Sequence, residues 1–135
     1  MTWSEFSRDG RSIWTGDETG HLSRWAYASP VQQRQLNHSG SVYGIAVSPD
    51  SKWIVTCGAD QTVRVWNASS GQQKFQMRGH QGAVHAVAVN ESGTQAVTTG
   101  ADGTIRLWDI VGGRQLKQLA RFDATMYSVA LSEDG

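Results

Sequence analysis

The chain has 135 residues, enough for one domain and too few for two. Its 12 basic and 12 acidic residues cancel and form no basic cluster, which removes the electrostatic footprint of a nucleic-acid or anionic-membrane binder. One cysteine excludes an internal disulfide and a multi-cysteine zinc site, and no apolar run has the length needed to span a bilayer.

Along the chain, short apolar or β-branched runs alternate with turn signals. The opening "MTWSEFSRDG" has no charged-then-apolar leader pattern, so a cytoplasmic setting is the expectation, and a reducing one suits the lone Cys57. "TGDETGHLSRW" at 15–25 carries a turn around Asp17 and Gly20. "GIAV" at 44–47 is followed by the turn "SPDS", then "WIVT" at 53–56, the turn "GADQ", and "TVRVW" at 62–66. "AVAV" at 86–89, "NESG", "GADG" and "TIRLW" at 104–108 repeat that order. Turns recur about every ten residues and no capped helical period is present, so each unit is predicted to be four strands of one antiparallel sheet. Several strands are apolar on both faces, and such a sheet needs a neighbour on each side.

The units are copies of one another. "TCGADQTVRVWN" (56–67) and "TTGADGTIRLWD" (98–109) agree at seven of twelve positions, and Trp25, Trp66 and Trp108 are spaced by 41 and 42 residues. "VYGIAVSPD", "VHAVAVNESG" and "MYSVALSEDG" begin at Val42, Val84 and Met126 in the same frame. A period near 42, a Gly-His opening in "RGHQGAVHAVAV" and a closing Trp-Asp in "GADGTIRLWD" resemble the WD-repeat family of β-propellers. The resemblance implies an all-β partial WD-repeat propeller of three four-stranded antiparallel blades, about 1–36, 42–77 and 84–119, plus the inner strand of a fourth at 126–131. Propellers close with about four to eight blades. A segment of a larger propeller is therefore expected, or else a ring completed by several copies.

The resemblance further implies two structural hydrogen-bond sets: His38, Thr56, Asp60 and Trp66, then His80, Thr98, Asp102 and Trp108. In each, the aspartate accepts from turn amides and imidazole, the histidine bridges to the hydroxyl, and the hydroxyl accepts from the indole N–H. A Thr–His–Asp relay also looks like a nucleophilic triad. Its recurrence at a structural period, its tryptophan and the lack of an oxyanion-hole signature favour stapling over catalysis. The first unit keeps Thr15 and Trp25 but has Thr19 at the aspartate position, so its turn is expected to be held differently. Phe122 stands where a histidine would precede the fourth inner strand.

Other polar residues have bland readings. His80 and His85 do not share a face, and no carboxylate or cysteine cluster joins them, so no metal is expected. "GADG" lacks the lysine and helix of a phosphate loop, and no cofactor is expected. His21 reads as a solvated turn residue, Cys57 as inert core, Trp53 as packing and Trp3 as cover for an exposed edge. Arg64 and Arg106 read as snorkelling over a neighbouring strand.

Carried over position by position, the face that propellers of this family present to partners falls on Thr2, Glu18, Ser41, Tyr43, Ala59, Ala83, His85, Ala101, Thr125 and Tyr127. Tyr43, His85 and Tyr127 occupy equivalent places, giving an arc of rings among small residues suited to an apolar or peptide anchor. They also fit a plainer role as rings covering a central channel. The expected function is a non-enzymatic scaffold for protein or peptide partners, with no nucleic acid or membrane. The alternatives are a regulatory or sensory part of a multidomain enzyme, and a repeat unit that self-associates through unpaired blade faces.

Overall fold

A computed structural model describes residues 3–26 and 29–132, with the backbone alone over 29–36. The described residues form twelve strands: β1 (Trp3–Phe6), β2 (Ser12–Gly16), β3 (His21–Ala26), β4 (Ser29–Asn37), β5 (Val42–Val47), β6 (Trp53–Gly58), β7 (Thr62–Asn67), β8 (Gln73–Arg78), β9 (Val84–Val89), β10 (Gln95–Gly100), β11 (Thr104–Asp109) and β12 (Arg114–Arg121). They assemble into three antiparallel sheets, each with its four strands in chain order. These are the blades of a partial propeller.

The turns between strands follow from their residues. Ser48 donates its hydroxyl proton to Asp50 (2.7 Å) and accepts the Trp53 N–H (2.9 Å), closing the hairpin between β5 and β6. In blade three Asn90 does the same work, its side-chain oxygen accepting the N–H groups of Thr94 and Gln95. Short polar side chains that bond their own backbone are what such turns require.

Blade two shows why the strands are apolar on both sides. Ile54 joins Trp14, Leu22, Val42, Trp66 and Ala68 in the core between blades one and two. Its neighbour Val55 belongs instead to the core between blades two and three, with Cys57, Val63, Val65, Met77, Val84, Trp108 and Ile110. Successive strand residues point to opposite faces, so one strand feeds two cores. Each fully buried side chain of this size stabilises the fold by about 1.5–3 kcal/mol. Among the described residues, blades one and three each share a core with one other blade, and Trp3, Phe6, Val111, Leu116 and Leu119 on them, with Phe122 just after β12, stay exposed. An exposed ion pair, Arg8 to Glu91 at 3.1 Å, links the first hairpin turn of blade one to that of blade three.

Consecutive blades also hang on backbone bonds. The Val42 N–H donates to the Asp17 carbonyl (3.0 Å), and the Met126 N–H donates to the Gly100 carbonyl (3.1 Å). The second bond locates the fourth inner segment, yet residues 126–131 form no strand. A strand exists through its ladder, and the sheet partners that β5 and β9 find in β6 and β10 have no counterpart here. The expected orphan strand is thus a docked segment without a ladder.

Two β-bulges break the alternation of side chains in the inner strands β5 and β9. Val42 pairs with Gly58 and Gly44 with Cys57, leaving Tyr43 as the extra residue, so Val42 and Ile45 both pack on the blade-one side. In blade three Val84 pairs with Gly100 and Ala86 with Thr99, which leaves His85 extra.

Candidate functional site

Each polar set ties the loop before a blade to that blade's central turn. His38 lies in the loop after β4, and its Nδ1 stands 3.1 Å from Asp60 Oδ2, while its Nε2 stands 2.6 Å from Thr56 Oγ1. Trp66 Nε1–H donates to the same Thr56 oxygen at 2.8 Å. The Asp60 carboxylate only accepts, so Nδ1 carries the ring proton and donates to it; in the neutral ring Nε2 then accepts the Thr56 hydroxyl proton, and the donor-only indole gives its N–H to Thr56. The next blade repeats this with His80 Nδ1 to Asp102 Oδ1 (3.0 Å), His80 Nε2 to Thr98 (2.8 Å) and Trp108 to Thr98 (2.7 Å).

The electrostatics agree with a neutral imidazole. Lost hydration drives the His38 pKa down to about 4, against the opposing pull of Asp60. His80 is lowered for the same leading reason. Burial alone would raise Asp60, but the Thr62 hydroxyl, His38 and the N–H groups of Thr62 and Ser39 outweigh it and hold the carboxyl down to about 2. Asp102 is likewise held low against burial, by Gln81 N–H, His80 and Thr104.

The two arginines do not snorkel. Arg64 is buried, and its guanidinium reaches Asp60 (2.8 Å), Gln73 (3.1 Å) and the Asn37 carbonyl (3.2 Å). Arg106 donates to Thr104 (3.0 Å) and Gln115 (2.8 Å). Arg64 therefore completes the set by neutralising the carboxylate and gripping the incoming loop, its side chain reaching from β7 back to Asp60 in the preceding turn.

In blade one Trp25 still donates to Thr15 (3.0 Å). Asp17 takes over the turn, accepting the Thr19 N–H (2.8 Å), the Thr19 hydroxyl (2.6 Å) and the His21 N–H (3.1 Å). The half-exposed His21 ring sits 2.6 Å from the Thr19 oxygen. At the fourth position Phe122 keeps the backbone role of His38: its N–H donates to the Gly103 carbonyl (2.8 Å), as that of His38 does to Gly20 (2.7 Å). Its side chain is exposed and joins no polar set.

Elsewhere the chemistry is muted. Cys57 is fully buried, and its pKa is pushed far up by lost hydration and then by Asp60. Trp53 packs on the core between blades two and three with Lys74 Nζ 4.2 Å from its ring centre. Among the described residues no group of three histidine, cysteine or carboxylate side chains is placed to hold a metal.

The structure brings the ring-bearing residues together. The Tyr43 and His85 ring centres are 5.3 Å apart, and those of His85 and Tyr127 are 4.9 Å apart. Tyr43 and His85 are the bulged residues of inner strands β5 and β9, and a bulge re-aims one side chain out of the pleat. Ser41, Ala59, Ala83 and Ala101 are joined around them by Ala59 N–H to Ser41 carbonyl and Ala101 N–H to Ala83 carbonyl bonds. The Ser41 hydroxyl donates to the Glu18 carbonyl at 2.8 Å. Thr125 lines a separate hollow with Ala101 and Asp102, and Thr2 lies outside the described residues. Sequence reasoning placed the rings in one arc but missed the bulges, because a bulge is a pairing event between two strands.

The same architecture is found in known proteins. The family described as "WD domain, G-beta repeat" matches residues 30–67 and 71–109, more than half of the chain. The subunit Taf5 of the SAGA and TFIID complexes of Schizosaccharomyces pombe is 30% identical over 84 residues, covering 52% of this chain and 13% of Taf5. Protein groucho of Drosophila melanogaster is 36% identical over 62 residues, covering 44% of this chain and 8% of its own. The solved structure of U3-55K superposes with a TM-score of 0.87 at 19% identity, over 90% of this chain and 39% of that one. The RRP9 WD40 repeats give 0.86 at 20% identity over the same shares. The chain thus spans a small part of these relatives and under half of the solved propellers. With two repeats matched in sequence and the blades matched in shape, this chain belongs to the WD-repeat family.

Proposed function

We propose that this chain is a non-catalytic interaction scaffold, a segment of a WD-repeat propeller that seats a protein or peptide partner on the face ringed by Tyr43, His85 and Tyr127. The observation that carries this reading is the continuous row of three rings, one from each of two blades and one from the docked segment. Aromatic side chains supply much contact area with few rotatable bonds, and they dominate binding energies at interfaces. Tyr127 is 73% exposed, far more than a ring kept only for packing. The Thr–His–Asp relay serves no substrate in this reading, because its hydroxyl is already committed to an indole and lies buried. Taf5 is named as a subunit of multiprotein complexes, which accords with a partner-binding role. The buried free thiol of Cys57 accords with a cytoplasmic setting.

The test compares the native chain with a Tyr43→Ala, Tyr127→Ala variant against one partner recovered by crosslinking. Capture should weaken by about tenfold or more while the melting temperature holds. Equal capture by both chains removes the ring face from the reading.

A second reading, association with further copies, is favoured by the exposed Leu116 and Leu119 on β12 and Phe122 just after it. Sedimentation over a range of concentrations decides it, since a monomer throughout excludes it.

A further inference from the structure

At the other end of β5 from Tyr43, the junction between blades one and two departs from the repeat. Trp14 pairs with Arg24 as Val55 pairs with Val65, and Ser12 pairs with Ala26 as Trp53 pairs with Asn67. Ser12 and Arg24 thus stand where blade two has Trp53 and Val65, and the period sets Ala68 against Ile110. Between blades two and three these places are filled, with Val65 and Ile110 fully buried and Trp53 packed on their core. Between blades one and two the smaller Ser12 and Ala68 leave a hollow of about 200 Å³, whose walls include Trp14, Arg24, Val47, Ser51, Ala68 and Ser69.

Arg24 is partly buried there. Its Nε donates to Ser12 Oγ at 3.0 Å, and its guanidinium carbon lies 5.9 Å from the Trp14 ring centre. Among the described residues neither end of its fork has an acceptor, whereas Arg64 spends its two ends on Asp60, Gln73 and the Asn37 carbonyl. A guanidinium that has lost part of its water and keeps idle donors calls for an oxygen acceptor. The turn before β6 adds a second departure. Gly10 and Gly93 hold φ of 67° and 68° at the matching positions of the other two blades, but Ser51 holds 58°. Side chains resist this left-handed region. A serine in that place keeps a strained backbone and sets a hydroxyl-bearing side chain in the wall of the hollow.

The walls also select the charge. Arg24 is the one cation among the described lining residues, and Asp9 lines the hollow with it. The Ser7 hydroxyl and the Arg11 N–H hold the Asp9 carboxyl below its ordinary range, so it stays ionised. A phosphate dianion would meet that carboxylate with a single cation to hold it. A carboxylate carries one charge and fits the planar fork through two parallel bonds. Trp14, Val47 and Ala68 give an apolar wall for the methylenes behind such a group.

We infer that the hollow between blades one and two receives a glutamate side chain from an acidic partner peptide, its carboxylate held by the Arg24 fork. This contact is separate from the ring row and does not depend on it.

Capped peptides Gly-Gly-Xaa-Gly-Gly, with glutamate, glutamine, lysine or phosphoserine at Xaa, test this by NMR titration of the full chain. The readout is the Arg24 Nε–H signal together with the Ser51 and Ser69 amides. The glutamate peptide should shift them saturably, with affinity about fivefold or more above the glutamine peptide, while the Tyr43 and Tyr127 ring signals stay in place. Arg24→Leu, read at the two serine amides, should remove that advantage with the buried Trp108 indole signal unmoved, which shows an intact fold. Ser51→Gly, which relaxes the turn, should weaken the glutamate peptide by about twofold or more. If Arg24→Leu loses the Trp108 signal, Arg24→Lys decides, since it keeps the charge and drops the fork, and undiminished glutamate affinity there overturns the inference. Glutamine or lysine binding as tightly as glutamate overturns it, and so does an unaltered preference in Arg24→Leu. Tighter binding of phosphoserine replaces the carboxylate with a phosphate and overturns it as well. Silence of these signals toward every peptide, or shifts at Tyr43 and Tyr127 in their stead, does the same and leaves the ring face to its own test.

Discussion

The Trp108 indole donates to the Thr98 hydroxyl at 2.7 Å, inside a layer where both residues are almost wholly excluded from water. Thr98 Oγ1 is also within 2.8 Å of His80 Nε2, so one hydroxyl serves two buried nitrogens.

Thr98→Val keeps the shape of the side chain and removes its oxygen. Two buried polar groups then lack partners, at about 1–3 kcal/mol each. Urea denaturation should show a loss of about 2–4 kcal/mol, with Thr98→Ser recovering most of it through the retained hydroxyl. A loss under about 0.5 kcal/mol, the range of surface substitutions, would mean the relay carries little stability.

Acid should weaken the fold in two stages. His38 is held neutral down to about pH 4, whereas in the unfolded chain it takes a proton near its ordinary 6.5. The unfolded state thus binds more protons over that window, and stability falls as pH drops from about 6.5 to about 4. Below that, Asp60 contributes stability that is present above its ordinary 3.8 and is lost as pH falls toward about 2. Denaturant midpoints measured from pH 7 downward should follow this course, and His38→Asn should flatten the first stage.

Equivalent turn positions should respond to substitution with opposite sign. Gln61 is exposed and holds φ of 65°, a left-handed conformation that the matching Gly103 adopts at 68°. Side chains resist that region by about 1–2 kcal/mol. After glycine's greater entropy in the unfolded chain, Gln61→Gly should stabilise by about 0.5–1 kcal/mol. Gly103→Ala should destabilise by more than about 2 kcal/mol, since its methyl would also strike the Phe122 carbonyl. Thermal melts of the two variants check the pair.

Cys57 should be silent toward thiol reagents while the chain is folded. It is fully buried in the core between blades two and three, and its thiolate is strongly disfavoured. Labelling by an aromatic disulfide should be about a hundredfold or more slower than in denaturant, because access requires opening of the blade. Rapid native labelling would contradict the packing of that interface.

Period and residue type made the blades and both polar sets legible, because blades two and three carry the same side chain types at the same places of the period. The role of Arg64 was not legible, because a strand pattern gives only a face, whereas that role depends on Asp60, Gln73 and the Asn37 carbonyl arriving from three directions. Residues 126–131 carry the pattern of an inner strand, but a pattern cannot supply the pairing partner. The placement of Tyr43 and His85 was legible only as an arc, since their outward turn comes from register shifts against Gly58 and Gly100.

Blade two, with Ile54 serving one core and Val55 the other, is the keystone of the arrangement. Its central strands β6 and β7 are buried along nearly their whole length, so their amides reach solvent only after a flanking sheet has peeled away. Fraying should therefore travel inward from blades one and three, and amide exchange among the described residues should be slowest in β6 and β7.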